Sequence, residues 1–159
     1  MYLYVGKYES NCRWDKDYEN KVKTFYPEEL TELGKDIDEH NFMSKETKYQ
    51  IGYWRKANAI HKFFVDNCAD GVDDCREMYV REETLSDLLD RCNEILADHD
   101  RAIELLPSTS GFFFGSTDYD EWYFKDLEYT KNLIEKVLKF LNEQAEKKSY
   151  YSVYYDASW

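Results

Sequence analysis

Apolar residues recur at helical spacing in three stretches of the chain, and this pattern predicts three long helices packed together. We expect them at about residues 45–67, 82–106 and 118–147. Pro107 ends the second helix, because proline cannot continue a helical hydrogen-bond pattern. Thr117 or Asp118, each with an acidic residue three positions later, gives the third helix a capping pattern at its start.

β-Forming residues are concentrated at the two ends of the chain and predict a strand at each end. A strand without a neighbour leaves its backbone groups unpaired, so we expect residues 1–6 to pair with residues 149–156 in a small two-stranded sheet. Residues 27–33 begin with proline and precede Gly34, which is typical of a short helix. The predicted fold is therefore α+β, mostly α, in a single domain of residues 1–159.

Two polar residues interrupt the apolar side of the first predicted helix. Asn58 and His61 lie among apolar neighbours such as Ile60 and Phe64, and His99 occupies a similar place on the second helix. A buried polar group is costly unless it is hydrogen-bonded, so these residues form either a satisfied structural network or part of a site. If they form a site, the candidates for a pocket between the long helices are Trp54, Asn58, His61, His99 and Phe113.

The chain carries a formal charge of −12, with 43% hydrophobic and 18% aromatic residues. This composition predicts a folded protein and argues against direct binding to nucleic-acid phosphates or anionic membranes, which attract basic surfaces. The sequence has no 18-residue apolar run and no leader-like start, so we expect no membrane span. The acidity is concentrated between Asp66 and Glu104, where the net charge is −9.

Metal and cofactor motifs fit the sequence poorly. A zinc site from His61 and three cysteines lacks the short ligand spacings that structural zinc sites use. The acidic segment 66–77 resembles a calcium loop but has a cysteine where a hard cation requires an oxygen ligand. The glycine-flanked loop 111–117 lacks the lysine of a phosphate-binding loop. We therefore expect no metal and no cofactor.

The surplus of tyrosine, tryptophan and acidic residues indicates a binding surface. Fifteen tyrosines and four tryptophans accompany thirty-three acidic residues, and tyrosine and tryptophan dominate the energetics of protein interfaces. Acidic side chains between them can imitate the phosphates of a nucleic acid toward a basic partner. The candidate partner-binding residues are Asp70, Asp73, Asp74, Glu77, Asp87, Asp90, Glu94, Asp118, Asp120 and Trp122.

Two sequence blocks carry a resemblance. Residues 52–64 (GYWRKANAIHKFF) with the following DGVDDC, and residues 110–123 (SGFFFGSTDYDEWY), resemble a family of small bacteriophage-encoded proteins that mostly lack an assigned function. The tail YDASW fits the same resemblance. It brings no catalytic residues, but it implies a phage gene product that acts in the cytoplasm of a bacterial host.

The resemblance and the acidic composition together favour a binding protein over an enzyme. Small acidic phage proteins without a cofactor motif frequently bind a host protein, so we expect an inhibitor or modulator of a nucleic-acid-handling defence enzyme, of anti-CRISPR or anti-restriction type. It would occupy a basic surface of that partner. The alternative is a small-ligand or nucleotide-binding protein, with or without enzymatic activity, that has a pocket around Trp54, Asn58 and His61. A virion or assembly component is a third hypothesis.

Overall fold

The computed structural model describes residues 1–12, 30, 42–110 and 117–158. Their helices and strands follow one another in this order: β1 (Tyr2–Cys12), β2 (Phe42–Tyr53), α1 (Asn58–Cys68), β3 (Met78–Val80), α2 (Glu82–Ala97), a 3-10 turn (His99–Arg101), α3 (Ala102–Leu105), α4 (Glu121–Glu146) and β4 (Ser152–Asp156). Two compact units contain these elements: residues 1–6 with 49–159, and residues 7–48. The prediction of one domain stays a prediction.

The four described strands form one sheet in the order β2-β1-β4-β3. The pairing of the two chain ends is confirmed, because Tyr2 lies opposite Asp156 and Gly6 lies opposite Ser152 in an antiparallel ladder. β3 pairs with the other side of β4, so that Tyr154 lies between Tyr4 and Tyr79. The sheet is therefore twice as wide as the two-stranded sheet that the sequence predicts.

The predicted fold of three long helices and a two-stranded sheet is wrong at the first helix. Tyr49 to Tyr53 belong to β2, and α1 begins only at Asn58. This segment places tyrosine and isoleucine at alternating positions and carries Gly52 in its middle, which suits a strand better than a helix interior. The apolar residues after position 57 have true helical spacing and made the whole segment resemble one helix.

The second predicted helix, residues 82–106, is shorter and interrupted in the structure. α2 ends at Ala97, and Asp98 is extended and accepts a hydrogen bond from the backbone N–H of Asp100. Aspartate side chains compete in this way with helical backbone bonds, which explains the break. The chain resumes as the 3-10 turn and α3, and the helical structure stops at Leu105, close to the end that Pro107 predicts.

The third predicted helix, residues 118–147, corresponds to α4 at Glu121–Glu146. Its start is shifted because Asp120, and not Thr117 or Asp118, accepts hydrogen bonds from the backbone N–H groups of Trp122 and Tyr123. The short helix predicted at residues 27–33 lies outside the described residues, apart from Leu30.

Helices α1 and α4 pack on one face of the sheet in the larger unit. Gly52 shows how closely they approach, since a Cβ atom added there would lie 2.5 Å from Cδ2 of Leu133 on α4 and 3.2 Å from Cβ of Leu3 on β1. Only glycine leaves room for this contact. On the same side, the ring of Tyr155 stacks on Phe64 of α1 with their centroids 4.2 Å apart.

The smaller unit contains the outer halves of β1 and β2. Glu9 on β1 forms ion pairs with Lys7 at 3.4 Å and with Lys45 on β2 at 3.5 Å. These side chains are partly exposed, so the pairs contribute little to the free energy of unfolding.

Candidate functional site

His61 is the centre of a buried hydrogen-bond chain. Its Nδ1 atom lies 2.8 Å from the hydroxyl oxygen of Tyr155, and its Nε2 atom lies 3.0 Å from Oδ2 of Asp73. Because a carboxylate only accepts hydrogen bonds, Nε2 carries a hydrogen and donates it to Asp73, while Nδ1 forms the hydrogen bond with the Tyr155 hydroxyl. The polar group that interrupts the apolar side of α1 is therefore satisfied.

The hydrogen-bonded series Tyr155–His61–Asp73 has the order of a catalytic nucleophile, base and acid. The hydroxyl in the place of the nucleophile, however, is not accessible to a substrate. Tyr155 is fully buried, and burial, reinforced by the charges of Asp73 and Asp156, raises the pKa of its hydroxyl far above the ordinary value. A buried phenol that stays protonated cannot attack a substrate. The network instead attaches the acidic loop 69–77 to the sheet.

Trp54 and Asn58 also form structural hydrogen bonds. The indole Nε1 of Trp54 donates to Oγ1 of Thr130 at 2.8 Å, and that hydroxyl donates to the backbone oxygen of Asp126. Oδ1 of Asn58 accepts a hydrogen bond from the backbone N–H of Thr109 at 3.4 Å. These contacts connect the start of α1 to α4 and to the loop after α3.

Four of the five pocket candidates lie within the described residues, and the structure does not bring these four together. Trp54 and His61 both contact the ring of Tyr155, with centroids 6.2 and 5.8 Å from it, inside the core. His99 is exposed and stacks on Phe124 at 3.8 Å, because α2 ends before it. Phe113 lies outside the described residues.

A cavity of about 260 Å³ lies between the start of α1 and the start of α4. Asn58 is the one pocket candidate that lines it within the described residues, and the partner-binding candidates Asp118, Asp120 and Trp122 line its other wall. The remaining lining residues are Arg55, Lys56, Ala57, Ala59, Ile60, Tyr123, Asp126 and Leu127. We call this space the α1–α4 cavity.

Asp126 is a titratable group of unusual pKa in this cavity. Its partial burial, and then the nearby charge of Asp120, raise its pKa from 3.8 to about 6. Perturbed carboxyl groups in a concave site are typical of binding and catalytic positions, although structural clusters show them as well.

The acidic partner-binding candidates occupy three regions, one of which is the wall of the α1–α4 cavity that contains Asp118 and Asp120. Asp70, Asp73, Asp74 and Glu77 lie in the loop before β3, and Asp87, Asp90 and Glu94 lie on α2. Several of these carboxylates have basic neighbours: Asp74 pairs with Arg76 at 3.4 Å, Asp87 with Arg91 at 3.0 Å, and Glu94 with Arg101. Asp70 and Asp90 form no ion pair within the described part of the chain.

Sequence reasoning missed a surface on the sheet side opposite the helices. Within the larger unit, strand alternation directs six tyrosines to this side, and we call them the tyrosine face. Tyr2 and Tyr53 have ring centroids 5.3 Å apart, and Tyr79 and Tyr154 have centroids 6.1 Å apart. Tyr79 is 57% exposed. The face consists of Tyr2, Tyr4, Tyr49, Tyr53, Tyr79 and Tyr154.

The tyrosine face has a negative electrostatic environment. Partial burial raises the pKa of Tyr4, and the negative charges of Asp156 and Glu77 add to this effect. The strand segments of the larger unit, residues 2–6, 49–53, 78–80 and 152–156, contain no lysine or arginine. The alternation of tyrosine with leucine, valine or glycine in these segments is the sequence signal that could have revealed the face.

Two of the described cysteines, Cys68 and Cys92, have thiols of low reactivity. Burial raises the pKa of Cys92 to about 12 and that of Cys68 to about 11, so both thiols stay protonated and pack as small apolar groups. Among the residues that the structure describes, no group of three or more metal-ligating side chains could hold a metal ion.

Comparisons with protein-family models, with curated proteins and with solved structures give no match. Within the described ranges, none of the helices has the length and apolar character needed to cross a membrane.

Proposed function

We propose that this protein binds a basic surface of another protein through its tyrosine face. The observation that carries the proposal is the set of six tyrosines on one side of a sheet whose strands, within the larger unit, contain no basic residue. Tyrosine provides a large contact area with a polar end and is enriched at binding hot spots. Arginine and lysine of a partner are attracted to aromatic rings and to the neighbouring carboxylates.

The acidic loop before β3 supports the same kind of partner. It leads directly into the edge strand that carries Tyr79, and the hydrogen bond from His61 to Asp73 holds it against the core. Exposed carboxylates beside an aromatic patch steer a basic partner toward it and increase the association rate at low salt. The acidic loop therefore attracts the basic partner, and the adjacent tyrosine face binds it.

The resemblance to phage-encoded proteins supports a specific biological role for this binding. A phage protein with an acidic, aromatic surface is suited to the basic groove in which a host nuclease holds its nucleic acid. We infer that the protein inhibits a nucleic-acid-handling defence enzyme of the bacterial host, of the CRISPR or restriction class, by occupying that groove and not by catalysis.

A phage-plating assay tests the proposed function. The protein is expressed in bacterial strains that each carry one CRISPR or restriction nuclease, and the plating efficiency of a targeted phage is measured. We expect at least about a tenfold increase in one strain. The double variant Tyr53→Thr/Tyr79→Thr should lose this effect, since hot-spot tyrosines each contribute about 2 kcal/mol or more to binding. Threonine keeps the β-propensity of both strands.

Tyr150→Thr is the matched control, because Tyr150 is 73% exposed but lies outside the strands. It should protect the phage as well as the unchanged protein does. Inhibition of the purified nuclease should show the same order of variants and should weaken as salt increases. Absence of protection in every strain, or equal protection by the double variant, would contradict the proposal.

A further inference from the structure

Asp156 is a carboxylate that lies among the side chains of the tyrosine face. Strand alternation places it on the same side of the sheet as Tyr154, which is two positions earlier on β4. The antiparallel ladder places it directly opposite Tyr2 on β1. Directly opposite side chains have Cβ atoms only about 5 Å apart. Asp156 is therefore bordered by one tyrosine along its own strand and by another across the ladder.

The carboxylate of Asp156 is only partly buried, and it forms no hydrogen bond or ion pair with any residue that the structure describes. The N-terminal ammonium of Met1 attracts it from beyond ion-pair distance, while donating a hydrogen bond to the backbone oxygen of Trp54 at 3.4 Å. The strand segments of the larger unit contain no lysine or arginine. These strands therefore supply no basic side chain that could pair with Asp156.

The negative charge of Asp156 acts on the aromatic groups around it. Burial raises the pKa of the Tyr4 hydroxyl, and the charge of Asp156 raises it further. Tyr4 lies opposite Tyr154, diagonally across the ladder from Asp156. A cation at this position is attracted both by a carboxylate and by the faces of neutral tyrosine rings.

Planar geometry narrows the class of cation. A guanidinium group is flat, so it can form two parallel hydrogen bonds with one carboxylate and stack on an aromatic ring at the same time. The ammonium group of lysine is a compact, strongly hydrated point charge without a flat surface. A carboxylate with a tyrosine on each of two sides therefore suits arginine better than lysine.

We propose that Tyr2, Tyr154 and Asp156 form a subsite for one arginine side chain of the binding partner. The guanidinium group pairs with the carboxylate of Asp156 and stacks on the ring of Tyr2, and Tyr154 borders it on the other side. The biological role of this subsite rests on the proposed function, because the arginine belongs to the basic surface that the tyrosine face binds. The subsite adds a preference for arginine that the net charge of −12 does not provide.

Calorimetric titration of the intact protein with two capped hexapeptides tests the subsite. One peptide alternates arginine with glycine and the other alternates lysine with glycine, so that both carry the same charge. We expect the arginine peptide to bind several times more tightly than the lysine peptide. A lysine peptide that binds at least as tightly as the arginine peptide would overturn the proposal, as would no binding of the arginine peptide up to about 10 mM.

Variants assign this preference to named side chains. Asp156→Asn should weaken binding of the arginine peptide about two- to fivefold, as expected for a partly exposed ion pair, and should remove its advantage over the lysine peptide. Asp100→Asn, which removes the same charge from an exposed position in the 3-10 turn, is the matched control. Tyr2→Leu should also remove the preference for arginine, whereas Tyr150→Leu, outside the strands, should keep it.

An Asp156→Asn variant that binds the arginine peptide as tightly as Asp100→Asn does would overturn the proposal. A Tyr2→Leu variant that keeps the full preference for arginine would overturn the stacking. Circular dichroism confirms that each variant is folded, and the nearly isosteric change at Asp156 keeps the test decisive if Tyr2→Leu does not fold.

The phage-plating assay separates this inference from the proposed function. Where the protein protects the phage, Asp156→Asn should reduce the protection and Asp100→Asn should not. Full protection by Asp156→Asn, together with lost protection in Tyr53→Thr/Tyr79→Thr, would overturn the arginine subsite and leave the proposed function standing. Absence of protection in every strain would contradict the proposed function, and the peptide titration would still decide whether the subsite binds arginine.

Discussion

The two faces of the sheet use the same residue type for opposite purposes. Tyr155 points to the helices and is fully buried, stacked on Phe64 and hydrogen-bonded to His61. Tyr154, its neighbour in the chain, points to the other side and lies between Tyr4 and Tyr79. A shift of one position along a strand therefore separates a core tyrosine from a surface tyrosine. The composition alone, with fifteen tyrosines, does not make this distinction.

The largest expected effect on the free energy of unfolding comes from replacing a tyrosine of the buried face, and a tyrosine of the exposed face provides the comparison. Tyr155→Ala should lower the free energy of unfolding by about 3–5 kcal/mol, since it leaves a cavity in the core. Tyr79→Ala should lower it by less than about 1 kcal/mol, since Tyr79 is mainly exposed. Urea unfolding of both variants measures the difference, and equal losses would show that the two faces are not distinct.

The second largest effect on the free energy of unfolding is expected at Gly52, where α4 approaches the buried face of the sheet closely. Gly52→Ala should lower the free energy of unfolding by about 1–3 kcal/mol, because the new methyl group overlaps Leu133. Leu133→Ala should offset part of this loss in the double variant, so the two changes should not be additive. Ser152→Ala, on the outer side of β4, serves as the control. Additive losses from Gly52→Ala and Leu133→Ala would contradict the contact.

Removing only the hydroxyl of Tyr155 tests the buried network separately from the packing. Tyr155→Phe should lower the free energy of unfolding by about 1 to 2 kcal/mol, because Nδ1 of His61 loses its hydrogen-bond partner in a buried position. Amide hydrogen exchange in the loop 69–77 should also become faster, since His61 orients Asp73. Tyr79→Phe on the outer face should change neither measurement. A stable Tyr155→Phe variant with unchanged exchange would show that the network does not hold the loop.

The smallest expected effect concerns Asp126, which belongs to neither face of the sheet. Burial and the charge of Asp120 raise its pKa from 3.8 to about 6, so the folded protein binds the proton more tightly than the unfolded chain does. Its contribution to the free energy of unfolding therefore falls as pH rises from about 4 to about 6. Asp126→Asn should raise the Tm at pH above about 7 and leave it unchanged near pH 4.

Thermal unfolding at both pH values measures this effect, with Glu128→Gln as the control that should show no such pH dependence. An equal Tm for Asp126→Asn and the unchanged protein at neutral pH would contradict the raised pKa.

The sequence predicted the parts of the fold whose apolar pattern has a single interpretation. α4 lies where its apolar stripe places it, and α2 begins at Glu82 as predicted. The pairing of the two chain ends also followed from their β-forming residues. The helix predicted for residues 49–53 was wrong, because this segment was interpreted together with the helical residues that follow it. Its own apolar residues recur at every second position, which is typical of a strand. β3 is only three residues long and gives too short a pattern to detect.

The candidate site was predictable only as a list of residue types. Asn58 and His61 were correctly placed among buried residues, since both are less than 5% exposed. Their partners were not predictable, because Thr109, Asp73 and Tyr155 are 51, 12 and 94 positions away along the chain. His99 was placed on a buried stripe and is exposed, since the local capping at Asp98 ends α2 before it.

The sequence by itself determined which side of each helix and strand is apolar, because side-chain direction follows from a local period of 3.6 or 2 residues. Only the tertiary structure decided that β2 and β3 join the terminal strands, since backbone pairing between distant segments leaves no local pattern. It also decided that six tyrosines from four strands share one surface and that charges from residues 55–60 and 118–127 face one cavity. The proposed function depends on the first of these long-range arrangements.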